Sequence, residues 1–111
     1  LLTGIVEILE FDRYPDSDAL QYGKRIERAF RDRPEIVGMK FRAGSDYAGT
    51  RTLWIDVTLS DDVSQDERRF LEVARPLDRE LDRVARRVAP ELWPSISIRA
   101  ARRPAASATN P

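Results

Sequence analysis

The chain contains neither cysteine nor histidine. Without cysteine there are no disulfides, thiolate metal sites or cysteine nucleophiles, and the redox compartment is left unmarked. Without histidine, ordinary zinc and copper sites, Ser-His-Asp triads and imidazole acid–base catalysis are excluded as well. What remains for chemistry is carboxylates, tyrosines, arginines and two lysines, Lys24 and Lys40. Neither sign of charge is in excess, since 19 basic and 19 acidic side chains give a formal net charge of zero. No global field therefore draws the chain onto nucleic acid or an anionic membrane, and any such affinity has to be local. Long hydrophobic runs are also missing, and nothing approaches the stretch of about 18 apolar residues that spans a bilayer. Leu1-Leu2-Thr3-Gly4 lacks the basic region and apolar stretch of a secretory signal, so the expectation is a cytoplasmic protein with no membrane contact.

A length of 111 residues suits one domain with one core. We expect a single α+β domain over residues 1–101. Residues 102–111 (Arg-Arg-Pro-Ala-Ala-Ser-Ala-Thr-Asn-Pro) have no large apolar group and read as a flexible C-terminal tail. The preference for arginine over lysine fits coding bias in a GC-rich genome. It also suits a surface laced with bidentate arginine–carboxylate pairs.

The most informative segment is Thr52 to Leu59, where Leu53, Ile55, Val57 and Leu59 alternate with Thr52, Trp54, Asp56 and Thr58. This is a strand with one dry and one wet face, and the wet face carries a tryptophan. Residues 36–42 alternate in the same way, with Val37, Met39 and Phe41 expected on one face and Ile36, Gly38, Lys40 and Arg42 on the other. Gly4 to Phe11 is rich in β-formers and reads as a first strand or a short helix, and Ser95 to Arg99 alternates as a final strand. Pro15-Asp16-Ser17-Asp18 introduces a first helix over about 17–32. Ser64 with Glu67 forms a capping-box pattern opening a second helix that runs to about Ala89. Phe70, Val73, Ala74, Leu77, Leu81, Val84 and Val88 line one side of it. Pro76 is expected to kink or divide that helix. Gly44 to Thr50 reads as an exposed loop tipped by Tyr47.

The order β-α-β-β-α-β predicts a ferredoxin-like arrangement, a four-stranded antiparallel sheet with two helices on one face. Lys40, Arg42, Trp54, Asp56, Thr58, Ser97 and Arg99 then share the open face.

Three constellations could carry function. The open face offers Trp54 as a buried anchor, with Lys40, Arg42, Arg99 and Asp56 as orienting charges and Tyr47 as a rim aromatic. RNA binding there would call for aromatics on both central strands, and Trp54 stands alone. On the outer side of the long helix Arg68, Arg75, Arg79, Arg83 and Arg86 could track phosphates, but Asp66, Glu67, Asp78, Glu80 and Asp82 lie within pairing reach. Asp56, Asp61, Asp62, Asp66 and Glu67 cluster around the end of one strand and the start of the helix, where they could hold magnesium for phosphoryl transfer. No phosphate-cradling glycine loop accompanies them, and acidic groups suit a helix N-terminus in any case.

Asp46 to Asp62, the long helix, and Leu92-Trp93-Pro94-Ser95-Ile96-Ser97-Ile98-Arg99 together resemble a group of small uncharacterised bacterial α+β proteins. Shared features are the aspartate–aromatic–small–glycine loop, the apolar strand ending in aspartate and the tryptophan–proline lead-in to the last strand. Such proteins lie near toxin-like or nucleotidyltransferase-like genes, and the resemblance implies an accessory, antitoxin-like role. It transfers no catalytic residue. The order strand, glycine loop, strand, helix, strand is also similar to the cytoplasmic domain of cation diffusion facilitator transporters. The histidines that hold metal in those domains have no counterpart here, so that similarity implies fold alone.

The expectation is therefore a non-catalytic accessory or regulatory protein. It would act by protein–protein association through the open sheet face, as a homo-oligomer or with a protein partner, without cofactor or metal. The alternatives are a nucleic-acid-binding module using the arginine side of the long helix and a magnesium-dependent phosphoryl or nucleotidyl transfer enzyme using Asp61 and Asp62.

Overall fold

The computed structural model describes residues 5–8 and 17–101. Strand β1 (Ile5–Ile8) is followed by helix α1 (Ser17–Ala29), strands β2 (Ile36–Ser45) and β3 (Arg51–Leu59), the one-turn helix α2 (Asp61–Ser64), the long helix α3 (Glu67–Val88) and strand β4 (Trp93–Ala100). Within the first segment Ile5–Ile8 is thus a strand and not a helix, and the rest of that segment lies outside the described residues. The expected tail at 102–111 lies outside the described residues.

The chain is α+β, but the ferredoxin-like antiparallel sheet does not form. Among the described residues the sheet runs in the order β1-β2-β3-β4. β1 lies parallel to β2 and β3 parallel to β4, so only the β2–β3 hairpin is antiparallel. A ferredoxin-like chain splits each βαβ unit, leaving room for a strand from the other half. Here each crossover lands beside the strand it left, and two complete βαβ units stand side by side, joined through the hairpin. Alternation along a strand dictates which side faces the helices and carries no information about its neighbour, so one sequence pattern fits both sheets. Three helices are present among the described residues where two were expected.

Helices α1 and α3 pack on the same face of the sheet. Ile26 from α1, Phe30 just after it, and Ala74, Leu77, Leu81 and Ala85 from α3 meet Met39, Phe41, Ala43, Leu53, Ile55, Val57 and Leu59 in one core. The strand residues recur every second position and the helical ones every third or fourth, as burial against one layer requires. Val37 departs from its expected inward face and is exposed, while Ile36 is buried. The register shift between Ile36 and Gly38 accounts for this, because one extra residue turns the alternation over.

The start of α3 also differs from expectation. Its N-cap is Asp66, whose carboxylate accepts the Arg68 N–H at 3.2 Å. Ser64 instead closes α2, its hydroxyl donating to the Ser60 carbonyl at 2.7 Å. It also receives the Ala101 N–H at 3.2 Å, which ties the end of β4 to α2. Pro76 lies inside α3 and does not divide it. Its side chain is on the solvent side, where the carbonyl deprived of a donor is open to hydration.

The β2–β3 turn is tighter than a seven-residue loop, because β2 continues to Ser45. The Asp46 carboxylate accepts the N–H groups of Ala48 and Thr50 at 2.9 and 2.8 Å, and Gly49 supplies the positive φ of 87° that closes the turn.

Candidate interaction surface

The face of the sheet turned away from the helices is built by the register of β2, β3 and β4. Trp54 stands between Arg42 and Ser95, Asp56 between Lys40 and Ser97, and Thr58 between Gly38 and Arg99. The five sequence-predicted residues Lys40, Arg42, Trp54, Asp56 and Arg99 are therefore brought together in three adjacent rows. The sheet topology was misjudged and the face was not, because side-chain direction depends only on the two-residue period.

Trp54 and Arg42 form the centre. The Arg42 guanidinium lies over the Trp54 ring, 4.0 Å from its centroid, and both side chains are half-buried. A stacked guanidinium covers one indole face and holds the ring fixed in orientation. Lys40, Ser97 and Arg99 are exposed, and Asp56 and Thr58 half-buried. On β2–β4 this face carries three basic groups against the single acid Asp56. Tyr47 is separated from the others at the hairpin tip, fully exposed at 103%.

Sequence reasoning missed a second aromatic group at the hairpin end of the sheet. Trp93, the first residue of β4, is 58% exposed and sits under the Arg86 guanidinium at 4.9 Å. Nearby the Tyr22 hydroxyl of α1 donates to the Glu91 carboxylate in the α3–β4 connection. That bond, followed by a backbone hydrogen bond and the nearby Arg51 charge, holds the Glu91 carboxyl below its ordinary range. Trp93 was legible only as the lead-in to a strand. Its exposure follows from β4 lying at the sheet edge, which alternation cannot reveal.

The arginine side of α3 is not a continuous cationic line. Arg68 pairs with Glu72 at 3.6 Å and Arg86 with Asp82 at 3.0 Å. Glu80 accepts from Arg33 at 2.7 Å, and that hydrogen bond holds its carboxyl below its ordinary range. Arg75 and Arg79 are exposed, with no ion pair among the described residues. Two shallow depressions along this side are lined by a mixture of both signs, such as Asp78, Arg79 and Asp82.

The acidic cluster is dispersed. Asp61 and Asp62 are exposed at the start of α2, Asp66 caps α3, and Asp56 lies on the open face. Among the described residues no three carboxylates gather as a metal ion would require. No helix among them is long and apolar enough to cross a membrane. No protein-family model, curated protein or solved structure matches the chain.

Proposed function

We propose that this is a non-catalytic association module whose sheet face, left uncovered by any helix among the described residues, is the contact surface for a protein partner, in the manner of an accessory or antitoxin-like regulator. The observation that carries the reading is the contrast between a sheet face covered by α1 and α3 and an opposite face with a pre-oriented Arg42–Trp54 stack at its centre. Tryptophan and arginine in a partly desolvated setting are the residue types that dominate binding energy at protein interfaces. The basic excess on β2–β4 favours a partner presenting carboxylates. Arg42, Lys40 and Arg99 would orient that partner, Asp56 would accept from it, and Trp54 would be buried. The same reading sets the protein in the cytoplasm, which cell fractionation checks.

The test compares wild-type and Trp54→Ala chains, both confirmed folded, as baits in lysate of the source cells. A partner retained by wild type and lost by Trp54→Ala is the expected result. Identical capture by both chains overturns the assignment to this face.

A further inference from the structure

We infer that the outer edge of β4 and the adjoining flank of α3 form a self-complementary surface for a second copy of this chain. The copies would pair antiparallel, β4 to β4, about a two-fold axis. This goes beyond the open-face reading and uses a different surface.

The first observation is an unfinished edge. Among the described residues β4 pairs on one side only, and its pairing with β3 runs without a register shift from Trp93 to Ala100. Ile96 and Ile98 point into the core layer yet stay half-buried, whereas their register partners Ile55 and Val57 are fully buried. Of the devices that blunt a sheet edge, this strand has only Pro94 near its start and Arg99 near its end, and its middle is Ser95-Ile96-Ser97-Ile98. A two-fold axis at Ser97 sets Ile96 against Ile98 of the second copy on the helix side, extending the apolar layer. On the open side it sets Ser97 against itself.

The second observation is charge. Glu80 reaches Arg33 on the α1 side of α3, and Arg86 covers Trp93 on the β4 side. At 100° per residue Leu71, Arg75, Asp78, Asp82 and Arg86 follow that second flank. Turned antiparallel on itself about the point between Asp78 and Arg79, this stripe opposes Arg75 to Asp82 and Asp78 to Arg79, each twice. Leu71, exposed, meets the aliphatic stem of Arg86. Asp82 keeps its bond to Arg86 and has a second oxygen to offer.

The two centres lie at matching heights. Measured from the α3–β4 connection, Ser97 lies about 13 Å down the strand and the midpoint of the charge pattern about 14 Å down the helix. Both pairings can therefore form about one axis. The product is a continuous sheet of two four-stranded halves in which the open faces merge into one.

The experiment is sedimentation equilibrium of the full chain as wild type, Arg75→Asp, Asp82→Arg, Trp54→Ala, and an equimolar mixture of the two charge variants. All are first checked for folding by circular dichroism. Wild type and Trp54→Ala should dimerise alike. Each charge variant alone opposes two like-charged pairs and should dimerise about tenfold more weakly or worse. Their mixture restores opposite charge at both positions and should recover dimer. A wild type that stays monomeric into the high micromolar range overturns the inference. So does a dimer indifferent to the charge variants, or one lost in Trp54→Ala, which would place the second copy on the open face.

Discussion

The two faces of this sheet are made by the same strands and obey different rules. On the helix side Phe41, Ile55, Val57 and Leu59 are fully buried in the apolar core formed with α1, α3 and the neighbouring connections. On the opposite side, one residue along, stand Arg42, Trp54, Asp56 and Thr58, half-buried and polar apart from one indole. The first face holds the protein together, since removing water from apolar area is the dominant favourable term in folding. The second keeps its side chains only half-buried, so it removes less apolar area from water. A residue's position relative to a two-residue period thus decides whether it packs under the helices or faces away from them.

Substitutions should separate these faces by the size and kind of their effects. Leu81→Ala, on the buried stripe of α3, should cost about 3 kcal/mol in denaturant unfolding, through lost transfer energy and the cavity left behind. A loss well under 1 kcal/mol would mean that the covered face is loosely packed. Asp66→Ala should cost about 1 kcal/mol by leaving the Arg68 N–H without its cap, with an amide-exchange increase confined to the first turn of α3.

Trp54→Ala should lower stability by no more than about 1 kcal/mol, the scale of an exposed cation–π stack, while abolishing partner capture. A stability loss as large as that of Leu81→Ala would show the open face to be a structural one and erase the distinction. The smallest effect belongs to Glu80→Gln. Glu80 has a lowered folded pKa because it accepts from Arg33, so its contribution is present above its unfolded pKa and is lost as pH falls through the folded value. Its partly exposed pair should be worth a few tenths of a kcal/mol at neutral pH. The stability difference between Glu80→Gln and wild type should vanish as pH drops below the carboxylate range, and a pH-independent difference would point to packing instead.

How much of this was legible can be judged from particular residues. Strand alternation, which is local, is enough to put Lys40, Arg42, Trp54, Asp56 and Arg99 on a common face. The Trp54–Arg42 stack was not visible, because it needs the β2–β3 register that sets the two opposite each other. The capping residue of α3 was misassigned between two equally good local signals. Ser64–Glu67 and Asp66 both fit a helix start, and only the separate turn of α2 decided for Asp66. Val37 was turned to the wrong face by a register shift that leaves no trace in composition.

The sequence by itself determined the α+β class, the position of the hairpin and both long helices, and the division of β3, β4 and β2 beyond Gly38 into a dry and a wet side. Those properties follow from side-chain chemistry repeated at short spacing, and no distant part of the chain can change them. The tertiary structure alone decided that each crossover returns beside its own strand and that β4 is an edge. It also decided that Trp93 is exposed under Arg86 and that Arg33 reaches Glu80 across 47 positions of sequence. These are choices among neighbours made by the packing of whole elements, where competing arrangements bury the same residues and differ only in which surfaces meet.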